Sequence, residues 1–152
     1  ILHGAEMLSA SAAVNVNKPA EKHKKNMPSM EEWLKEAKSA PEAADCGMFL
    51  FHNGTVRRTA KAMVRQGAAD TAPVTGMEFS YDAAGVAAAI KKAYELPGIY
   101  YVRVWLNDGH LEVGDDIMLV LIGGDIRPHV VDALQALVEE IKMNCVTETE
   151  QY

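Results

Sequence analysis

The stretch from Ile99 to Ile122, IYYVRVWLNDGHLEVGDDIMLVLI, contains three strand signals separated by two turn signals. Residues 99–106 are β-branched and aromatic, which predicts a strand. The Asn-Asp-Gly sequence at 107–109 predicts a tight turn, and residues 111–113 predict a short strand after it. A Gly-Asp turn then leads into the apolar run 117–122, which is typical of a central strand. Strands joined by such short turns pair in the antiparallel sense.

Helix signals lie on either side of this stretch. An Ala-rich helix is predicted to begin at Asp82 as its cap and to end at Pro97-Gly98. The Gly123-Gly124-Asp125 sequence is expected to end the apolar strand, and Pro128 opens the last helix. The predicted buried residues are Val86, Ile90 and Tyr94 in the first helix and Val131, Leu134, Val138 and Ile141 in the last.

The N-terminal half contributes one helix and two strands. Ser29 stands three residues before Glu32, a capping-box spacing that predicts a short amphipathic helix ended by Pro41. Residues 46–53 are predicted to be a buried strand, and residues 77–81 alternate apolar and polar, as a strand with one wet face does. The order of elements is α-β-loop-β-α-β-β-β-α. This order predicts an α+β fold with a largely antiparallel sheet covered by helices.

Length and composition are those of one globular domain. The chain has 152 residues, 49% of them hydrophobic and 24% charged, and no apolar run reaches the length of a membrane helix. We expect residues 1–27 to be a disordered or added tail and residues 28–152 to form a single domain. The loop that follows the predicted strand at 46–53 extends to about Thr75, and loops of this length are commonly functional or disordered. Two distant cysteines, Cys46 and Cys145, favour a reduced, cytoplasmic chain, with a single disulfide as the alternative.

Charge is distributed unevenly along the chain. The net charge of −6 argues against a general nucleic-acid binder. Residues 55–75 nevertheless carry four basic residues against one acidic residue, whereas residues 101–152 carry three basic residues against ten acidic ones. A basic loop on an acidic body suits a small anionic ligand. A basic loop that is merely solvated is the alternative.

The stretch from Phe51 to Arg58, FHNGTVRR, ends a predicted strand in a glycine turn followed by two arginines. A guanidinium group donates two parallel hydrogen bonds, which suits a phosphate or a carboxylate. Arg57 is therefore the first candidate for anion binding. The histidines His52, His110 and His129 lack the spacing of a metal-ligand set, so we predict no metal.

Four blocks of the sequence together resemble the large subunit of molybdopterin synthase. They are residues 47–57, residues 77–81, the block from Gly109 to Asp115, and Arg127 with the helix that carries Lys142. The Gly-x-Leu-Glu-x-Gly-Asp block is the most specific of them, because it combines two turn glycines with a fixed acidic pair. The resemblance spans about residues 45–150 and implies the α/β-hammerhead fold of that family.

The function that this resemblance implies is a cytoplasmic sulfurtransferase of molybdenum cofactor biosynthesis. In that family a small ubiquitin-like subunit carries a thiocarboxylate on its C-terminal Gly-Gly and inserts this tail into the large subunit. Sulfur passes twice to cyclic pyranopterin monophosphate, a small anionic pterin, and gives the dithiolene of molybdopterin. The resemblance implies no cofactor, because molybdenum enters the product later, and neither a nucleic acid nor a membrane as a partner.

Residue by residue, the resemblance implies a set of site positions. Arg57 matches the family's strand-end arginine, and Thr55 and Val56 precede it in the same substrate-binding segment. Arg127 matches the arginine of a His-Arg pair at the start of the last helix, where the helix N-terminus also favours a phosphate. Lys142 matches the family's principal lysine. We expect it to contact the thiocarboxylate tail and, together with Arg57, to be catalytic.

Some positions depart from the family pattern. Ile126 stands where the family has the histidine of its His-Arg pair, and Thr149 stands where it has a second lysine. Both positions remain in the predicted substrate-binding set. His52 replaces an aromatic residue, and either His52 or His129 is a candidate to compensate for Ile126. The alternative function is a non-catalytic relative that binds the ubiquitin-like partner or a pterin as a regulatory module, and an unrelated anion-binding domain is the third.

The spacing of two of these residues bears on assembly. Arg127 and Lys142 flank one predicted helix, so they lie about 22 Å apart along its axis. No small substrate bound by one subunit touches both. If both serve one pocket, that pocket combines Arg127 of one subunit with Lys142 of another, which predicts a twofold homodimer with sites across the interface.

Overall fold

The computed structural model describes residues 23–60 and 72–152, which form the predicted α+β fold. The predictions for residues 1–22 and for residues 61–71 of the long loop lie outside the described residues. The helices of the described chain are α1 (Met30–Ser39), a 3-10 helix (Pro41–Asp45), α2 (Ala83–Tyr94) and α3 (Arg127–Asn144). The strands are β1 (Met48–Thr55), β2 (Gly76–Tyr81), β3 (Ile99–Leu106), β4 (Gly109–Glu112), β5 (Asp116–Gly124) and β6 (Val146–Gln151).

The described strands form two three-stranded antiparallel sheets. The first has the order β1-β5-β3 and the second has the order β4-β2-β6. β5 is the central strand of the first sheet, and every residue from Ile117 to Gly124 is buried. The prediction of an antiparallel α+β fold with a central strand over residues 117–122 is confirmed. The division into two sheets was not predicted.

The core lies on both faces of the first sheet. Ile122 belongs to the larger cluster, together with Ile90 of α2 and Ile141 of α3. Leu121, on the opposite face of β5, belongs to a smaller cluster that contains Trp33 of α1. Burying one such side chain contributes about 1.5–3 kcal/mol. Because both faces of β5 are covered, its sequence is continuously apolar instead of alternating.

The starts of two helices test the predicted caps. Ser29 Oγ accepts a hydrogen bond from the Glu32 backbone N–H at 3.2 Å, which confirms the cap of α1. Asp82 lies at the N-cap position of α2, but its side chain makes no capping bond, so that part of the prediction is wrong. Its backbone N–H instead donates to the Cys145 carbonyl at 2.7 Å, which ties α2 to the end of α3.

Of the helices in the described chain, none combines the length and the apolar character that a membrane span requires.

The predicted end of β5 is wrong. The strand continues through Gly123 and Gly124. A Cβ would lie 2.6 Å from the Phe49 ring at Gly123 and 2.5 Å from the Gly98 carbonyl oxygen at Gly124. These glycines are needed because neighbouring groups approach the strand closely, and they do not end it.

The buried face of α3 is also rotated from the predicted one. The buried residues are Val130, Ala133, Leu137 and Ile141. Of the predicted stripe, only Ile141 is buried, and Val131, Leu134 and Val138 are half-buried. Both sets have helical spacing, so only packing against the sheet selects between them.

Two segments join the fold unexpectedly. β6 pairs with β2 along its whole length, although its sequence, VTETEQ, is polar. Residues 24–27, assigned to the tail, contact the body of the domain. The Lys25 backbone N–H donates to Asn107 Oδ1 at 2.6 Å, and the Lys25 ammonium lies 5.2 Å from the Tyr81 ring centroid. Residues 24–27 therefore lie against the domain, and the boundary at residue 28 stays a prediction.

Candidate functional site

The end of β1 leads the chain to a cavity. The register of β1 with β5 shifts between Gly54 and Thr55, and the exposed Arg57 follows just beyond the strand. Such a bulge bends a strand and redirects the side chains after it. The adjoining cavity, which we call the Arg57 cavity, encloses about 330 Å³. Its wall includes Thr55, Arg57, Lys142, Glu148, Thr149 and Glu150.

Several of the predicted site residues therefore meet in one place. Thr55 and Arg57 come from the end of β1, Lys142 from the last turn of α3, and Thr149 from β6. Thr149 lies in this group because the chain turns back after α3, and β6 then pairs with β2. Arg57 Nε donates to the Thr59 carbonyl at 2.9 Å, which holds the side chain against its own loop. The roles of these residues remain predictions.

Val56 contributes to the site through its backbone. Its side chain is buried, with 2% of its surface exposed. Its N–H donates to the Asp115 carbonyl at 2.9 Å, and its carbonyl accepts from the Gly114 N–H at 2.8 Å. Val56 thereby fixes the chain immediately before Arg57, and its side chain is not part of the wall of the Arg57 cavity.

Ile126 and Arg127 lie at the opposite end of α3 from Lys142. Ile126 is the N-cap residue with 52% of its surface exposed, and Arg127 is the first residue of the helix. Neither lines the Arg57 cavity. The length of the helix keeps them away from Lys142 within one subunit, as its sequence spacing predicts.

Lys142 also lines a second cavity, which we call the His52 cavity. It encloses about 480 Å³. Apart from His52, its wall is formed by α3, through Leu134, Gln135, Val138, Glu139, Lys142 and Met143. Sequence reasoning missed this cavity, although the helical spacing of Leu134 and Val138 was recognised. Both residues pack against the core as half-buried side chains and also form part of the cavity wall.

His52 has an unusual environment. Its Nε2 atom is buried and has no hydrogen-bond partner among the described residues. Burial lowers the pKa of His52 below its ordinary value of 6.5, and the positive charge of Lys142 lowers it further. Both effects favour the neutral form of the side chain. Because an unpartnered buried polar atom costs about 1–3 kcal/mol, Nε2 is a candidate contact for a ligand or for a rearranged neighbour.

The two histidines considered as substitutes for Ile126 differ in position. His129 Nδ1 lies 2.7 Å from Asp125 Oδ1, close to Ile126 at the start of α3. This contact lowers the pKa of Asp125. His52, in contrast, shares a cavity with Lys142. Within one subunit, His52 lies beside Lys142, whereas His129 lies at the opposite end of α3.

The Arg57 cavity contains charges of both signs. Glu148 and Glu150 are in its wall, together with Arg57 and Lys142. Tyr152, which was not predicted to belong to the site, also lines it, and its hydroxyl donates to Glu150 Oε1 at 3.1 Å.

Within residues 23–60 and 72–152, no three His, Cys, Asp or Glu side chains are grouped so as to hold a metal ion.

Comparison with known proteins relates this architecture to a family. The model of the MoaE protein family matches residues 24–144. A search of curated proteins finds no match. Among solved structures, the X-ray crystal structure of molybdopterin synthase from Staphylococcus aureus has a TM-score of 0.64 at 16% identity, over 87% of this chain and 92% of that chain.

Two further structures give the same result. The molybdopterin biosynthesis MoaE protein from Burkholderia ambifaria has a TM-score of 0.61 at 16% identity, over 85% of this chain and 80% of that one. The complex of subunits 1 and 2 of the molybdopterin-converting factor from Helicobacter pylori has a TM-score of 0.57 at 18% identity, over 84% of this chain and 81% of that one. Identities this low show a shared fold, whereas the family match covers most of the sequence. The chain therefore belongs to the MoaE protein family, and this membership supports a role in molybdenum cofactor biosynthesis.

Proposed function

We propose that this chain is the large subunit of a molybdopterin synthase, a sulfurtransferase that acts on cyclic pyranopterin monophosphate. The observation that carries the proposal is the position of Lys142, which lines both the Arg57 cavity and the His52 cavity. A sulfur transfer between two molecules needs two binding sites that meet at one reactive point. Lys142 is at such a meeting point.

The Arg57 cavity suits the anionic pterin. Its volume of about 330 Å³ is that of a small-ligand site. Arg57 and Lys142 supply two cations for a phosphate, and charge-assisted hydrogen bonds to phosphate are among the strong ones. Thr55 adds a hydroxyl group to the same wall.

The His52 cavity suits the C-terminal tail of the small subunit. Leu134, Val138 and Met143 give it an apolar wall on α3. A Gly-Gly tail has no side chains, so an extended peptide of this kind can lie close along the helix. Its terminal thiocarboxylate would then lie near the Lys142 ammonium, which would stabilise the oxyanion that forms when the acyl carbon is attacked.

The proposed assembly has two further components. The structure of the Helicobacter pylori relative is a complex of subunits 1 and 2 of its molybdopterin-converting factor, which supports a small-subunit partner for this chain. We also propose a homodimer, because Arg127 reaches a Lys142 site only from another subunit. The free thiols of Cys46 and Cys145 fit a reducing compartment such as the cytoplasm.

A non-catalytic binding module is the second candidate function. Ile126 is an exposed aliphatic residue and cannot transfer a proton, and Thr149 is uncharged. Loss of one general acid or base costs about 10²–10⁴ in rate. A protein with these changes would keep its cavities and bind the tail or the pterin with little or no turnover.

Reconstitution separates the two candidates. The purified chain is mixed with a thiocarboxylated ubiquitin-like protein ending in Gly-Gly and with cyclic pyranopterin monophosphate, and the dithiolene product is detected by mass spectrometry. We expect a product that has gained two sulfur atoms. Binding of the partner without any dithiolene would refute the enzyme and leave the binding module.

A further inference from the structure

The two glutamates of the Arg57 cavity lie on the inner face of β6. In the register of the second sheet, Glu148 pairs with Phe79 and Glu150 pairs with Met77. Directly paired residues of antiparallel strands point to the same side of the sheet. Phe79 and Met77 are buried, with 3% and 6% of their surfaces exposed. The side chains of both glutamates therefore leave the strand on the side of the sheet that faces the core. Apolar residues are usual at such positions.

The burial of the alternating residues agrees with this orientation, although Thr149 also reaches the cavity wall. Thr147 and Thr149 are exposed, whereas Glu148 and Glu150 are half-buried. Thr149 pairs with Glu78, which is also exposed. A carboxylate loses hydration when it is half-buried, and this loss must be offset by donors. The Tyr152 hydroxyl supplies one such donor to Glu150.

A structural explanation for an inward-facing charge also exists. β6 is an edge strand of the sheet β4-β2-β6, and edge strands often carry charges that prevent pairing with another chain. That explanation requires only that the charge be near the edge. It does not account for the placement of both carboxylates in the wall of the cavity that also contains Arg57 and Lys142.

The mixture of charges restricts the ligand. Two cations and two carboxylates nearly cancel, so a simple anion gains less from this cavity than from one lined by cations alone. The ligand that gains most has an anionic group at one end and an edge of adjacent N–H donors at the other. A carboxylate accepts two parallel hydrogen bonds from such an edge. The 2-amino-4-oxopyrimidine ring of a pterin presents this edge.

We propose that Glu148, assisted by Glu150, recognises the N–H donor edge of an aminopyrimidine ligand, while Arg57 and Lys142 hold the anionic group of the same ligand. The pair of glutamates then determines specificity for the ring, and the pair of cations provides attraction for any anion. Because hydrogen bonding to a donor edge discriminates strongly against ligands that lack it, this arrangement selects a pterin over other small phosphates. The assignment of the ring to a pterin rests on the proposed function.

Binding of two partial ligands tests the assignment. The probes are 6-hydroxymethylpterin, which has the donor edge without an anionic group, and inorganic phosphate, which has the charge without the edge. Fluorescence titration measures the first and calorimetry the second, on the wild type and on Glu148→Gln, Glu150→Gln and Arg57→Ala. Glu78→Gln, on the outer face of the neighbouring strand, is the matched control.

We expect opposite effects on the two probes. Glu148→Gln weakens binding of 6-hydroxymethylpterin by about 10- to 100-fold, because a hydrogen bond to a charged group is lost. It leaves phosphate binding equal to that of the wild type or tighter, which also shows that the variant is folded. Arg57→Ala weakens phosphate binding, and Glu78→Gln changes neither.

Three outcomes would overturn the assignment. They are a wild-type protein that does not bind 6-hydroxymethylpterin, a Glu148→Gln variant that binds it with unchanged affinity, and a Glu78→Gln variant that loses as much affinity as Glu148→Gln. The test needs neither the small subunit nor sulfur. If sulfur transfer fails, the binding of 6-hydroxymethylpterin by Glu148 is not affected. If 6-hydroxymethylpterin does not bind as expected, the sulfur-transfer experiment is still decided by its own product.

Discussion

Arg57 and Lys142 line the same cavity, although one follows β1 and the other lies in the last turn of α3. The packing of α3 across the first sheet brings them together, because the helix contacts both β1 and β5. The register of β1 with β5 shifts between Gly54 and Thr55, just before Arg57. The result is a pair of cations held by two different elements, which the fold fixes in relation to one another.

Substitution of these two cations should separate binding from turnover. We expect Lys142→Ala to reduce the rate of dithiolene formation by about 10²–10³, since loss of one oxyanion-stabilising group has this effect. Arg57→Ala should mainly raise the KM for cyclic pyranopterin monophosphate. Arg58→Ala is the matched control, because Arg58 is adjacent and exposed but does not line the cavity. Wild-type turnover in Lys142→Ala would remove Lys142 from the mechanism.

Mixing of two inactive variants tests the composite site. In a homodimer with sites across the interface, Arg127→Ala and Lys142→Ala each damage both sites. A heterodimer of the two variants contains one site with both residues intact and one site with neither. Random exchange of subunits should therefore restore about a quarter of wild-type activity. No recovery after confirmed exchange, or a fully active monomer in sedimentation, would contradict the shared site.

Asn107 should be important for stability. It is 1% exposed, and its side chain accepts from the Lys25 and Asp108 N–H groups at 2.6 and 2.9 Å. It also donates to the Lys25 and Asp116 carbonyls at 3.1 and 2.7 Å. Asn107→Ala should lower the free energy of unfolding by about 2–4 kcal/mol, measured by urea denaturation, since four buried or half-buried hydrogen bonds lose their partner.

The control for Asn107 is an exposed asparagine. Asn144 donates one hydrogen bond to Glu140 on the surface of α3. Asn144→Ala should change the free energy of unfolding by less than about 0.5 kcal/mol. Equal effects of the two substitutions would show that the buried network around Asn107 contributes nothing beyond a surface contact.

His52 should make stability depend on pH. Because its pKa in the folded protein is lowered from 6.5, the unfolded chain binds more protons between the two values. Its contribution to stability is therefore complete above about pH 6.5 and is lost as the pH falls toward the folded pKa. His52→Phe should flatten the fall in unfolding free energy in this range. The exposed His110→Gln is the control, and an unchanged slope in His52→Phe would contradict the assignment.

Local signals account for the elements that were predicted correctly. β3 spans the predicted residues, Ile99–Leu106, because its β-branched and aromatic residues and the turn at 107–109 are sufficient to define it. The cap formed by Ser29 is likewise a contact between residues three apart. Interactions of this range depend on neighbours in the chain, so the sequence contains them fully.

Other features depend on contacts between distant segments. The rotation of α3 buries Val130 and Leu137 fully, and it leaves Leu134 and Val138 at the edge of the core, where they line the His52 cavity. Helical periodicity cannot distinguish these faces, because both have the same spacing. β6 was missed for a related reason: its polar residues form a strand only because β2 offers an unpaired edge.

Local sequence patterns are sufficient for the α+β class, for the central strand β5 and for Arg57 and Lys142 as candidates, because strand signals, turn residues and family blocks need no distant contact. Three relationships follow only from the folded chain: these two residues share a cavity, Glu148 and Glu150 reach its wall from the inner face of β6, and Lys142 also borders a second cavity with His52. Those relationships arise from the pairing of strands and the packing of one helix, which join segments that are far apart in the chain.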